Sequence, residues 1–66
     1  MNTYVVGVLD FFDNEIKMEK ISAENEIDAL TKHSRIQGFD FSNCSTLEEM
    51  YQELLNADTV ADILQI

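Results

Sequence analysis

Carboxylates are the most abundant side chains in this chain that could do chemistry. Thirteen of its 66 residues are Asp or Glu and only four are Lys or Arg, which gives a formal charge of −9. The bases all lie at or before Arg35, whereas the segment from Ile36 to Ile66 carries six acids and no base. Such a surface repels phosphates, so we expect no direct binding to nucleic acid or to an anionic membrane. Simple solubility explains the same excess of charge and stays open as an alternative.

The residues that could act as nucleophile, base or metal ligand are few. His33 and Cys44 are the only histidine and cysteine, and a Cys–His pair can form an activated nucleophile. They fall on different predicted elements with no third orienting group, so we expect a half-exposed helix histidine and a small buried cysteine. Asp10 and Asp13 could bind a cation, but they match no EF-hand loop, and Asp is common in turns. We therefore predict no enzyme, no metal site and no cofactor.

A second group of acids has a spacing that favours binding to another protein over catalysis or metal binding. Carboxylates on a rigid surface can imitate the phosphates of a nucleic-acid strand, which recur about every 3.4 Å. Such a surface would occupy the basic nucleic-acid-binding groove of another protein, although a solvated helix face produces the same pattern. The candidate partner-binding acids are Glu48, Glu49, Glu53, Asp58 and Asp62.

Three aromatic residues, Phe39, Phe41 and Tyr51, lie close to these acids in sequence. Aromatic residues beside a charged rim are typical of protein–protein hot spots. We include Phe39 and Phe41 in the predicted partner-binding set. The alternative is that both phenylalanines close one end of a small core, and the residues alone do not decide between the two.

Two strands are predicted to begin the chain. Thr3 to Phe12 is rich in β-branched and aromatic residues with apolar side chains on both faces, which indicates a central strand covered on at least one side. Gly7 within it indicates a bulge or the close approach of a helix. Asp13-Asn14 is a turn signal. Glu15 to Ile21 then alternates charged and apolar residues, which predicts an edge strand whose charged side faces water.

Two helices follow. Asn25 is a good N-cap, and Gly38 is suited to the position after the helix end. The second helix begins with Ser45 and Glu48, or with Thr46 and Glu49, as a capping box. Its apolar residues recur at helical spacing, which is the clearest helical signal in the chain. They are Leu47, Met50, Tyr51, Leu54 and Leu55.

The last segment, Thr59 to Ile66, fits either a strand or a further helical turn or two, and we favour the strand. The predicted fold class is then α+β with order ββααβ: a small antiparallel or mixed three-stranded sheet with two helices on one face. Its length of 66 residues predicts one domain, 1–66. A single cysteine, no signal peptide and no apolar run of membrane-spanning length predict a cytoplasmic protein.

The run from Tyr4 to Lys17, continuing into Ala23 to Leu30, resembles small acidic accessory proteins of tailed bacteriophages. They share a strand, a turn, a charged strand and an Ala-Glu-x-Glu helix start. This resemblance implies a non-enzymatic inhibitor or modulator of a host protein, including anti-restriction and other anti-defence factors. We therefore expect an inhibitor that docks its acidic second half on a basic host surface. The alternative is a self-associating structural or regulatory module, a homo-oligomer without an enzyme target, indicated by the thin core and the amphipathic helix.

Overall fold

The computed structural model describes residues 1–66 as two strands, two helices and a closing strand. The strands are β1 (Asn2–Asp10), β2 (Glu15–Ala23) and β3 (Thr59–Gln65), and the helices are α1 (Glu26–Lys32) and α2 (Leu47–Asn56). A 3₁₀ turn, Ser34–Ile36, follows α1. The order is ββααβ, so the predicted α+β class is confirmed, and the ambiguous last segment is a strand.

The sheet has strand order β2-β1-β3, with β1 antiparallel to both neighbours. In this register Val6 lies opposite Glu19 on one side and Ile63 on the other. The central place of β1 confirms the prediction from its two apolar faces, and β2 is an edge strand as its charges predicted.

The first connection is a four-residue loop, 11–14, between β1 and β2. One carboxylate oxygen of Asp10 accepts the backbone N–H groups of Phe12 and Asp13 at 2.9 and 3.4 Å. Asn14 has a φ of 55°, a left-handed conformation that Asn tolerates well. The predicted turn is confirmed, although β1 ends at Asp10 rather than at Phe12.

Both helix starts follow from their caps. The side chain of Asn25 accepts the backbone N–H of Asp28 at 2.8 Å, and Thr46 accepts that of Glu49 at 3.2 Å. The predicted roles of Asn25 and of the Thr46–Glu49 pair are thus confirmed. These side chains satisfy backbone donors that the first turn of a helix leaves without a partner.

The two glycines do not have the predicted roles. Pairing continues through Gly7 without a bulge, and a Cβ added there would meet Met18 on β2, at 3.7 Å, and no helix. Gly38 does not follow the end of α1, because that helix stops at Lys32 and the backbone of His33 is extended. The α-helical course ends early because the His33 side chain caps the 3₁₀ turn and its ring also bonds to the backbone oxygen of Lys17 on β2.

The core lies between one face of the sheet and the two helices. On the sheet, Tyr4, Val6 and Val8 of β1 alternate inward. The helix layer meets them with fully buried side chains. The whole buried apolar set is Tyr4, Val6, Val8, Ile21, Ala23, Ala29, Leu30, Ile36, Met50 and Leu54.

Candidate functional site

The acidic surface of α2 is built by the packing of the opposite side of that helix. Met50 and Leu54 are 2% and 0% exposed, so the rotation of the helix about its axis is set by the core. Glu48, Glu49 and Glu53 are therefore directed to solvent. We use the name acidic α2 surface for these three residues together with Asp58. Because the helix is anchored, the carboxylates stand on a rigid support.

Glu49 also has a structural role. Its carboxylate accepts hydrogen bonds from the Ser45 hydroxyl at 2.9 Å, the Ser45 backbone N–H at 3.3 Å and the Thr46 hydroxyl at 3.3 Å. The Ser45 hydroxyl contributes most to lowering the pKa of Glu49 below its ordinary value. Glu49 is thus committed to the helix start, whereas Glu48 and Glu53 belong to none of the ion pairs.

The remaining two predicted acids lie beyond the helix. Asp58 occupies the turn between α2 and β3 with a φ of 56° and is exposed. Asp62 lies opposite Gly7 in the β1–β3 register, on the side of the sheet that faces away from the helices. The charge of Asp62 nevertheless acts on Tyr51 of α2. Burial is the largest cause that raises the pKa of Tyr51, and the charge of Asp62 is the next. The structure therefore places three of the five predicted acids on α2, Asp58 in the turn that follows it and Asp62 on β3.

Phe39 and Phe41 form a stacked pair with ring centroids 6.0 Å apart and an interplanar angle of 9°. Both rings are partly buried and pack against the core. This placement fits the closing of one end of the core, and it also leaves part of each ring at the surface. Cys44 lies nearby, and burial, followed by the charges of Glu53 and Glu49, raises the pKa of its thiol.

Three of the four bases are paired, and all of their partners precede Ile36. Lys17 contacts Glu19 at 3.6 Å, Lys32 contacts Asp28 at 3.2 Å, and Arg35 pairs with Glu15. Lys20 is the only basic side chain that joins no ion pair. The six acids after Ile36 consequently have no basic neighbour within the chain, and the charge asymmetry of the sequence persists in three dimensions.

The burial of His33 and Cys44 is the reverse of what the sequence predicted. His33 is fully buried, whereas Cys44 is partly exposed. One ring nitrogen of His33, Nε2, bonds to the backbone oxygen of Lys17 at 3.1 Å, and Nδ1 accepts the backbone N–H of Arg35 at 3.1 Å. The expected half-exposed histidine is therefore wrong, because the ring joins the 3₁₀ turn to β2.

A second surface, which was not predicted from the sequence, lies on the sheet. The side chains that point away from the helices form one side of the sheet, which we call the open face. Several of its apolar residues are strongly exposed: Ile16 is 71%, Met18 67%, Leu64 69% and Val60 41% exposed. The full open face comprises Thr3, Val5, Gly7, Leu9, Ile16, Met18, Lys20, Ser22, Val60, Asp62 and Leu64.

The open face corrects the prediction for β2. The charged side of this strand was expected to face water and Ile16 and Met18 to be covered. The charged side instead lies toward the helix layer, where Glu15 pairs with Arg35 and the Glu19 carboxylate accepts hydrogen bonds from Ser34. The signal for the open face was present in β1, which has apolar residues at both alternate positions.

The loop between β1 and β2 extends this apolar surface at one end. Phe11 is 52% exposed and Phe12 is 85% exposed. The backbone N–H of Phe11 donates to the oxygen of Asp58 at 2.9 Å, which fixes the loop against the turn before β3. Two large aromatic rings are thus held at the surface by a well-bonded backbone.

Other kinds of site find little support in the described chain. No group of three or more His, Cys, Asp or Glu side chains is placed to hold a metal ion. Neither helix has the length and apolar character needed to cross a bilayer. Two shallow grooves indent the surface, and neither is lined by His33 or Cys44. Comparison with protein-family models, with curated proteins and with solved structures finds no match.

Proposed function

We propose that this protein is a non-enzymatic inhibitor or modulator that binds another protein through its acidic α2 surface. The observation that carries the proposal is the absence of any basic partner for the acids after Ile36, three of which stand exposed on one rigid helix. Unpaired charge on a fixed support attracts a complementary surface at long range and adds specificity to its docking.

The spacing of these carboxylates supports a partner that normally binds nucleic acid. Glu49 and Glu53 are four residues apart, so they lie on the same side of α2 with a rise of about 6 Å between them. Phosphates along one nucleic-acid strand recur about every 3.4 Å, so two steps span about 6.8 Å. The carboxylates of Glu53 and of the capping residue Glu49 therefore lie about two phosphate steps apart.

The kind of partner follows from these properties and from the phage-like resemblance of the first half of the chain. A host protein with a basic groove, such as an enzyme that acts on DNA or RNA, has the complementary charge. Blocking that groove would inhibit the host enzyme, which is the mode of action of an anti-defence factor. The site of action in this proposal is the cytoplasm of the host cell.

The experiment is an affinity pull-down of the tagged chain from bacterial lysate at low and high salt, followed by titration of the identified partner. The test variant is Glu48→Gln/Glu53→Gln, which keeps the Glu49 cap intact. The matched control is Asp13→Asn/Glu24→Gln, which removes the same charge from exposed acids that form no ion pair and do not belong to α2. We expect the test variant alone to weaken binding and to flatten its salt dependence.

Two outcomes would contradict the proposal. One is unchanged binding of the test variant, and the other is an equal loss in test and control variants, since that would reflect net charge rather than a surface. Competition provides a further check. The nucleic-acid ligand of the captured partner should displace the protein if the acidic α2 surface occupies its groove.

The alternative function, a self-associating module, was indicated by the thin core and by the amphipathic character of α2. The second of these no longer supports it, because Met50 and Leu54 of that helix are buried in the core of the same chain. The apolar side of α2 is therefore not free to contact another copy. Any self-association has to use a different surface.

A further inference from the structure

We infer that the open face of the sheet is the contact surface of a two-fold symmetric homodimer. The open face is the one side of the sheet that no helix covers, and its apolar side chains are among the most exposed in the molecule. Soluble monomers rarely expose a contiguous apolar surface of this kind without a partner. Packing two sheets face to face is a common way to bury such a surface.

The dimensions of the domain are sufficient for a dimer. The Cα extents are 32 × 26 × 17 Å, and the shortest of them corresponds to one sheet and one helix layer. The open face therefore lies on the broad side of the domain. The 32 × 26 Å extent of that side is of the same order as the roughly 800 Å² per partner that a standard interface buries.

Charge selects a second copy as the occupant. The chain carries a net charge of −9, so two copies repel each other through most of their surfaces. The strands of the open face contribute one base, Lys20, and one acid, Asp62, so this face has no net charge. It is therefore the broad surface through which two copies can approach without net repulsion.

The positions of these two charges match a two-fold axis. Lys20 lies opposite Val5, and Asp62 lies opposite Gly7, so the two charges are on opposite edges of the sheet. The midpoint between them falls on β1, between Val5 and Gly7, near the centre of the open face. A two-fold axis that passes through that point in the plane of the interface, perpendicular to the line joining the two charges, places each Lys20 against Asp62 of the other copy, as an isologous interface requires. This arrangement also gives Lys20 the ion pair that it lacks within one chain.

The first test is sedimentation equilibrium of the purified chain from micromolar to millimolar concentration. We expect the mass to rise with concentration from 7.6 kDa to twice that value. Met18→Glu places a charge on the open face beside Gly7, close to the proposed axis, and should raise the dimer Kd on the order of a hundredfold, because two like charges are then buried close together. The control Leu55→Glu changes a residue that is 52% exposed on α2 and should leave the Kd unchanged.

The second test exchanges the charges. Lys20→Asp and Asp62→Lys should each raise the Kd on the order of tenfold, and the double variant should return it close to the original value. The two positions are on opposite edges within one chain, so recovery in the double variant reports a contact between copies. Circular dichroism of each variant checks that the fold is retained.

Three results would overturn the inference: a monomer up to millimolar concentration, a dimer insensitive to Met18→Glu, or no recovery in the double charge exchange. The second of these would indicate pairing through a sheet edge. The test is independent of the proposed inhibitor function, because it uses the purified chain alone. The variant Glu48→Gln/Glu53→Gln should leave the dimer mass unchanged, so either proposal can fail without the other.

Discussion

Replacement of His33 by leucine should destabilise the fold strongly, although the two side chains are similar in size. The ring is fully buried, and both of its nitrogens are hydrogen bonded, to the backbone oxygen of Lys17 and the backbone N–H of Arg35, each at 3.1 Å. Leucine fills much of the space but provides neither bond. Two backbone groups that the ring now satisfies would each lose a partner in a site with little access to water.

The expected cost follows from those two groups. A buried polar group without a partner costs about 1–3 kcal/mol, and since both bonds are only partly buried, we expect a total of about 2–4 kcal/mol. At about 0.05–0.15 kcal/mol per residue, the entire domain has a free energy of unfolding of about 3–10 kcal/mol. The substitution therefore removes a large share of the stability, and the Tm should fall by at least about 10 °C.

The assay is thermal and urea unfolding followed by circular dichroism, with Gln37→Leu as the control. Gln37 also donates two side-chain hydrogen bonds, to the backbone oxygens of Thr31 and His33 at 2.7 and 3.3 Å, but it is exposed. Water can replace those bonds, so the control should change stability by about 0.5 kcal/mol or less. If His33→Leu lowers the free energy of unfolding no more than Gln37→Leu does, the hydrogen bonds of the buried ring do not stabilise the fold as expected.

Three other substitutions test the core, the helix cap and the thiol. Leu54→Ala should cost about 2–5 kcal/mol and Leu55→Ala about 0.5 kcal/mol or less in urea unfolding, because the side chains are 0% and 52% exposed. The pKa of Glu49 is lowered chiefly by the Ser45 hydroxyl. Glu49→Gln should therefore lower the stability fully at a pH above 4.5, the ordinary pKa of Glu. This loss should disappear as the pH falls through the lower pKa that Glu49 has in the folded state, and a series of Tm measurements across pH checks it. Because burial raises the pKa of Cys44, with Glu53 the next cause, its alkylation at pH 8 should be slower than that of a free cysteine and faster in Glu53→Gln.

The parts of the fold that were predictable depend on interactions close in sequence. Asn25 and Thr46 act as caps within three residues of their partners, and the turn before Glu15 depends on the conformational tolerance of Asn14. The apolar spacing in α2 likewise states which side of that helix is buried. Such signals need no knowledge of the rest of the molecule.

The incorrect predictions share a different cause, which is contact between distant segments. His33 ends α1 early because its ring reaches Lys17, sixteen residues away. Alternation along β2 states which residues share a face, but it does not state which face the helices will cover. That choice follows from packing, since Ile21 and Ala23 at the end of β2 are buried in the core with the helices. In the candidate site, helix periodicity located Glu48 and Glu53, whereas the separation of Asp62 from them depends on strand register.

The central position of β1 has a consequence for the time course of folding. Tyr4 pairs with Gln65, and the backbone N–H of Ile66 donates to the oxygen of Thr3 at 2.9 Å. The β1–β2 hairpin can form as soon as its residues are available, but the other edge of β1 has no partner until β3 has been synthesised. Closing so long a stretch of chain slows folding, because its entropy is lost before the strand pairing compensates for it. During that interval β1 is an exposed apolar edge, so the nascent chain passes through a stage that is prone to aggregation.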